Sequence, residues 1–358
     1  MRVLALVKYG RRAASTRQRF LQYEPFLAAA GFTVDYAPLL GDAYLERLVD
    51  GRRPSLLSVA AAYGARLARL LTARRYDLLW VHCELFPYFP GLAERLAALS
   101  GRPIIYDFDD AIFHNYDASP QRLVRRLLGR KLEPLLRSAY ACCCGNPYLR
   151  DYAIRYCPNS IILPTVVDTD LYVPSPTAKA PGQPVTIGWI GSPSTWPLVR
   201  PYLKLLAELC SDGTVEVRAV GAGLAAEADR FPGLHLVAWT EHSEIAEVQK
   251  MDIGIMPVWD GPFQRGKSGY KLIQYMACGL PVVASPVGVN RDIIVDGDNG
   301  FLANSDADWR AALTRLIDDP QLRRRLGDAG RLRAERDLSL ASQAPRLVEV
   351  FRSAGRVV

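Results

Sequence analysis

An alternation of short apolar runs with stretches of helical period constrains this chain most, and it occurs twice. Val3–Val7, Thr33–Tyr36, Leu78–Val81, Ile104–Tyr106, Tyr140–Cys144 and Ile161–Leu163 read as strands. Between them Thr16–Ala30, Leu56–Ala73, Gly91–Leu99, Pro120–Arg137 and Pro147–Tyr156 read as helices. Parallel strands need crossovers of this size, so the pattern predicts a parallel sheet covered on both faces. Residues 171–184, rich in Pro, Ala and Gly, break the rhythm and read as linker. It then restarts: Thr186–Ile190, Glu216–Val220, His235–Ala238, Ile253–Met256 and Pro281–Ala284 as strands, Pro197–Cys210, Ser243–Lys250, Gly269–Cys278 and Asp308–Ile317 as helices.

The expected fold class is therefore α/β, with two facing Rossmann-like, doubly wound parallel-sheet domains at 1–165 and 185–335. A linker at 166–184 joins them, and a C-terminal helix at 336–358, overlapping the charged stretch 323–352, is expected to pack back on the first domain. With 358 residues the chain is long enough for two cores. Ligands of such sheets bind outside the carboxyl ends of the strands, which places the expected site in the cleft between the domains.

Charge is divided unevenly. Residues 1–165 carry 23 basic and 14 acidic side chains, a balance of +9; residues 166–358 carry 21 and 23, a balance of −2. The basic half is expected to meet something anionic. No nucleic-acid recognition motif accompanies it, so a nucleic acid is not the expected partner. No run reaches the roughly 18 apolar residues of a membrane span, and Met1–Lys8 reads as a strand rather than a signal segment, so the expected location is cytoplasmic. The seven cysteines form no C-x-x-C pair, and Cys142–Cys144 reads as a buried strand in a reducing compartment. G-x-S-x-G, H-E-x-x-H and the P-loop are all missing, which leaves hydrolase and NTPase readings without support.

The densest chemistry lies in Asp252–Gly288. A buried strand leads into a Gly-containing loop with Arg265 and Lys267, and a helix opens near Ser268–Gly269. Such a helix start offers free N–H groups and a positive dipole end, both suited to phosphate oxygens, and the two side chains add full charges for a diphosphate.

The run K-L-I-Q-Y-M-A-C-G-L-P-V-V-A, followed by R-D-I-I-V-D-G-D-N-G-F-L-A, closely resembles the C-terminal domain of family 4 glycosyltransferases. N-S-I-I-L-P-T-V-V-D-T-D-L-Y, T-I-G-W-I-G-S-P-S-T and E-V-R-A-V-G-A-G resemble, in order, the family's entry into that domain, its first strand with glycine loop, and its next strand. D-F-D-D-A-I-F resembles a bacterial subgroup of surface-polysaccharide gene neighbourhoods. The resemblance implies the GT-B fold and retaining transfer of a sugar from a nucleotide-diphosphate donor to an acceptor hydroxyl. It implies no bound metal or other cofactor, and UDP as the donor's nucleotide. It also implies a glycan or lipid-linked acceptor at the inner membrane.

The chain departs from the family pattern at several places. The family's ribose-binding glutamate is matched by Gln274, and the glutamate that contacts the donor sugar falls at Gly266. The basic pair after the second domain's first strand is replaced by Gly191–Thr195, so Gly191 and Ser192 offer only N–H and hydroxyl groups. The expected donor residues are then Gly191, Ser192, Arg265, Lys267, Gly269, Lys271 and Gln274. In the first domain, Gly10 with Arg17 and Arg19 forms a basic loop that in the family closes on the donor phosphates or the acceptor. Asp109 and Asp110 best match the family's histidine–aspartate loop, and neighbouring carboxylates can raise one pKa enough for acid/base work. With Lys267 they are the expected catalytic residues; His82, Glu84 and His114 are expected to line the acceptor side. Gln121–Arg137, with six basic residues against one acidic and Leu123, Leu127 and Leu128 on one face, is expected to suit anionic headgroups. The alternatives are a GT-B sugar-nucleotide epimerase, a glycan- or partner-binding protein without catalysis, and, on G-W-I-G alone, an NAD dehydrogenase lacking its G-x-G-x-x-G.

Overall fold

The computed structural model describes every residue except 50–51, 53–54, 178, 181 and 357–358. Parts of the readings for the first domain, the linker and the C-terminal helix fall on these positions and lie outside the described residues. The chain divides into two compact units. Unit 1 comprises Met1–Val166, Arg265–Ser268 and Ser342–Val358; unit 2 comprises Val167–Gln264 and Gly269–Ala341.

Unit 1 holds a six-stranded parallel sheet of β1 (Arg2–Tyr9), β2 (Thr33–Leu40), β3 (Leu78–His82), β4 (Ile104–Phe108), β5 (Ala141–Cys144) and β6 (Ser160–Ile162), in the order β2-β1-β3-β4-β5-β6. β3, β4 and β5 are buried at every position, the mark of strands covered on both faces, whereas edge strand β2 is largely accessible. Cys142, Cys143 and Cys144 are free thiols inside this layer. Phe351 packs edge-on against Phe32 and Trp80, with ring centroids 5.5 and 5.1 Å away.

Unit 2 holds β7 (Val185–Ile190), β8 (Val215–Val220), β9 (Leu234–Val237), β10 (Ile253–Met256), β11 (Val282–Ala284) and β12 (Gly300–Leu302), all parallel, in the order β12-β11-β10-β7-β8-β9. This is the doubly wound order of a Rossmann sheet, with the reversal between β7 and β10.

Prolines subdivide several helices that the periodicity reads as continuous. Thr16–Ala30 becomes Ala14–Arg19, a tight turn and Glu24–Ala29, with Pro25 opening the second helix. Pro197 and Pro201 make the start of Pro197–Cys210 two separate turns before Leu203–Leu209. The Gln121–Arg137 stretch is two helices, Arg122–Leu128 and Glu133–Ser138; Leu128 is buried while Leu123 and Leu127 are exposed, so the three leucines do not share one face. Val167 and Tyr172, read as linker, are buried in the core of unit 2, where Arg331 donates to Thr169 O (2.8 Å) and to Tyr172 O.

Candidate functional site

In unit 1 the chemistry gathers beyond the carboxyl ends of β1, β3 and β4. Strand alternation turns Tyr106 and Phe108 to one face, where their rings stack at 4.9 Å, and Asp107 to the other. There Arg19 Nε donates to Asp107 Oδ1 (2.8 Å) and an Arg19 terminal nitrogen donates to Leu163 O (2.7 Å), with both side chains fully buried. Burial pushes the Asp107 carboxyl up, and Arg19 offsets this only in part. Burial also works against the Arg19 charge, but the Asp107 and Asp109 carboxylates more than restore it.

Two residues on, Asp109 accepts a hydrogen bond from Thr165 Oγ1 (3.4 Å) and lies 3.9 Å from His82 Nε2. Burial would raise its pKa, but His82, Arg19 and Lys267 outweigh that and hold it below the ordinary value. Asp110 faces Lys267, whose Nζ lies 3.2 and 3.3 Å from its two oxygens. Its carboxyl is pushed up to about 6 by burial; Lys267 works against this and the neighbouring Asp109 charge reinforces it. Adjacent carboxylates with acid strengths driven apart are the arrangement from which acid/base pairs are made. Asn146 Nδ2 holds the loop by donating to Lys267 O (2.9 Å), and its Oδ1 caps the helix Pro147–Ala153 through Leu149 N (3.0 Å).

Gly266 lies so close to Ala111 that a Cβ there would meet the Ala111 backbone nitrogen at 2.9 Å and its Cβ at 2.4 Å. A glutamate at this position has no room. Gly266→Glu is expected to force the loop away from Ala111 and lower stability by about 1–3 kcal/mol, the usual cost of overpacking, read as a lower urea midpoint.

Several expected contact residues are placed otherwise. Arg19 does not line a ligand surface, because its guanidinium is committed to the interior. Glu84 is buried too: it pairs with Lys8 (3.0 Å) and Lys131 (3.5 Å) and accepts from Tyr116 OH (2.6 Å). Lys131 in turn bonds Glu94, which also accepts from Leu85 N and Phe86 N. His114 is engaged by Asp117 and by Tyr148 OH, both at 2.7 Å. Arg17 donates to Arg12 O (2.7 Å) and closes the loop after β1. Gly10 is pressed against Asp42, whose Oδ1 would lie 2.4 Å from a Cβ. His82 stays beside Asp109, buried, with neither ring nitrogen hydrogen-bonded. Thr165 and Asn146 join the site unexpectedly; only Asn146 carries a local signal, the Asn-Pro pair that opens a helix.

In unit 2, Gly269 takes a left-handed conformation (φ 68°) at the start of the helix Tyr270–Ala277. Lys271 reaches back to the loop after β7: its Nζ is 3.3 Å from Thr195 Oγ1 and 4.4 Å above the Trp189 ring. The N–H groups expected from that loop are already used. Gly191 N donates to Val220 O (3.0 Å), and Ser192 N donates to Thr195 Oγ1 (3.1 Å). Gln274 is buried, and its amide donates to Glu244 Oε1 (2.8 Å) and Tyr172 OH (3.1 Å) rather than facing a ribose. Arg265, assigned to the donor from its sequence position, lies in the segment that belongs to unit 1. A groove lined by Lys179, Lys250, Asp252, Pro281 and Arg324 lies at the amino ends of β10 and β11, the opposite end from the Gly269 helix start.

Among the described residues, His82, Cys83 and Asp109 have ligand atoms that lie within 4.8 Å of one another. No helix among them is long and apolar enough to cross a membrane.

Residues 4–160 match the family described as a glycosyl transferase 4-like domain, and residues 185–319 match the glycosyl transferases group 1. A D-inositol 3-phosphate glycosyltransferase of Corynebacterium aurimucosum is 26% identical over 223 residues, 55% of this chain and 52% of that protein. One from Thermomonospora curvata is 38% identical over 105 residues, 29% of this chain and 23% of that protein. The chain thus spans about half or less of the length of these curated relatives. Sucrose-phosphate synthase from Thermosynechococcus elongatus has the same fold, with a TM-score of 0.74 at 16% identity over 100% of both chains. Anabaena HepE in complex with UDP gives 0.72 at 15% identity, over 99% of this chain and 100% of that one.

Proposed function

Because the chain belongs to the glycosyltransferases of the 4-like and group 1 families and has their GT-B fold, we propose that it moves a sugar from a nucleotide-diphosphate donor to an acceptor hydroxyl with retention of anomeric configuration. The observation that carries this reading is the set of Asp109, Asp110 and Lys267: an ionised carboxylate, a second carboxyl titrating at about 6, and an ammonium 3.2 Å from it. In this reading Lys267 steadies the diphosphate as charge develops on it. Asp110 supplies, at the loop, the carboxylate that Gly266 lacks, and exchanges a proton with the acceptor or the leaving oxygen.

UDP is the proposed nucleotide, supported by the UDP complex of HepE, a protein of the same fold. The acceptor is a glycan or a lipid-linked sugar of surface-polysaccharide assembly, met at the inner face of a membrane. The epimerase alternative draws less support, since both matched families are transferases.

A thermal-shift panel of UDP-, GDP- and dTDP-sugars tests the donor. A ligand at a hundred times its Kd stabilises the native state by about 2.7 kcal/mol, which moves the melting point by roughly 2–4 °C. A UDP-sugar is expected to give this shift; a panel in which no sugar nucleotide does so would remove the donor assignment.

A further inference from the structure

We propose that the outward face of the helix Leu56–Leu71 is a docking surface for an anionic lipid bilayer. One side of this helix is anchored in unit 1 by an unusual buried charge. Arg66 donates to Val7 O (2.6 Å) and Ala37 O (3.0 Å), and Leu70 packs beside it, so the opposite side is held outward. That outward side is almost wholly apolar. Leu56, Leu57 and Leu71 are 86%, 84% and 84% exposed, Leu67 is exposed, and the surface between them is alanine and glycine. Exposed side chains of this size, clustered in one place, mark an interaction surface.

The patch continues onto the next layer. The Tyr63 ring packs tilted against the exposed Phe89 at 5.2 Å, and Arg74, just past the helix, donates to the carbonyl of the exposed Leu99 (3.4 Å). The helix is 16 residues, about 24 Å, which suits lying along a surface rather than crossing one.

Charge selects the occupant. Arg69 on the helix and Arg74 and Arg75 just past its end are exposed, with Arg69 near the partly exposed Asp35 of β2. Among the described residues from 52 to 102 no acidic side chain is exposed: Asp77 is half-buried, and Glu84 and Glu94 are buried. A second copy of the chain would bring like charges together. A bilayer carrying anionic headgroups would take the leucines between its lipids and the arginines at its surface. The surface is distinct from the Arg122–Leu128 helix, whose apolar side is only partly exposed. The proposal gives a location to the membrane contact in the reading above, and its test uses no donor, so either can fail alone.

The full chain is sedimented with vesicles of phosphatidylcholine alone or mixed with phosphatidylglycerol, at low and high salt. Binding is expected only with phosphatidylglycerol, weakening as salt screens the arginines. Leu57→Glu/Leu71→Glu and Arg74→Glu/Arg75→Glu are each expected to weaken it about tenfold or more. Both pairs lie at exposed positions, and an unchanged melting point shows that the fold persists. Wild-type absence of binding, or unchanged binding by the leucine variant, overturns the proposal. So does a wild-type dimer in sedimentation equilibrium that the leucine variant splits. Should the leucine variant melt early, the arginine variant alone decides: unchanged vesicle affinity overturns the proposal.

Discussion

Replacing Arg19 by leucine is expected to cost about 3–5 kcal/mol of stability, the usual loss when one partner of a buried pair is removed. The guanidinium lies between the Asp107 carboxylate and the Leu163 carbonyl with no solvent on either side chain, and Asp107 Oδ2 already has no hydrogen-bond partner. Leucine leaves that carboxylate buried alone. The loss should depend on pH, and its sign follows from linkage. Burial raises the folded Asp107 carboxyl above its unfolded value of about 3.9, and without Arg19 the gap widens. A group with a raised folded pKa binds its proton more tightly when folded, so stability falls as pH rises above the unfolded pKa. The variant should therefore be least impaired in mild acid and most impaired at neutral pH and above. Urea unfolding at about pH 5 and about pH 8 measures this; a wild-type midpoint at the higher pH would exclude a stabilising role for the pair.

Asp110→Asn should lower transfer from a sugar nucleotide by about a hundredfold or more, the usual share of a proton-transferring side chain. The wild-type Asp110 carboxyl titrates at about 6, so its charged form appears as pH rises through that value. If that form accepts the acceptor's proton, kcat/KM climbs across the same interval, and the asparagine variant loses this limb while keeping its residual rate. A limb that survives in Asp110→Asn assigns the titration to another group. Lys267→Met separates charge from position: it removes the ammonium 3.2 Å from Asp110 and should slow turnover by about 10²–10³-fold if that ammonium stabilises the leaving diphosphate. A Lys267→Met enzyme with wild-type kcat would take the lysine out of the reaction.

Much of the fold could be read from the chain because parallel strands carry dense local signals. Leu78–Val81, Ile104–Tyr106 and Ile253–Met256 are apolar runs flanked by polar turns, and they form the sheet interiors. β12 escaped this reading because Gly300–Leu302 is three residues long and opens on glycine. The interior ion pairs were not legible. Arg19 and Asp107 stand 88 residues apart, and an arginine in a basic helix start reads as solvated. Glu84, two positions after His82, reads as lining a site, yet Lys8 and Lys131 draw it inside. Gln274 was chosen by matching a pattern, and such matching does not register that Glu244 and Tyr172 come from distant segments to take up its amide. The D-F-D-D run was informative because three carboxylates in four residues cannot all be accommodated without partners. Which partner each finds depends on Arg19, Thr165, His82 and Lys267, all from elsewhere in the chain.

Unit 1 is discontinuous, and this has a consequence for the order in which the molecule can be made. The first 166 residues emerge from the ribosome with the whole β1–β6 sheet but without Arg265–Ser268 and without Ser342–Val358. Until the later segments arrive, Asp110 has no Lys267, and Trp80 and Phe32 lack the Phe351 ring that covers them. Early translation therefore yields a sheet with an uncovered aromatic patch, the kind of surface that chaperones hold and that aggregates when crowded. The half of the chain that is synthesised first is completed last.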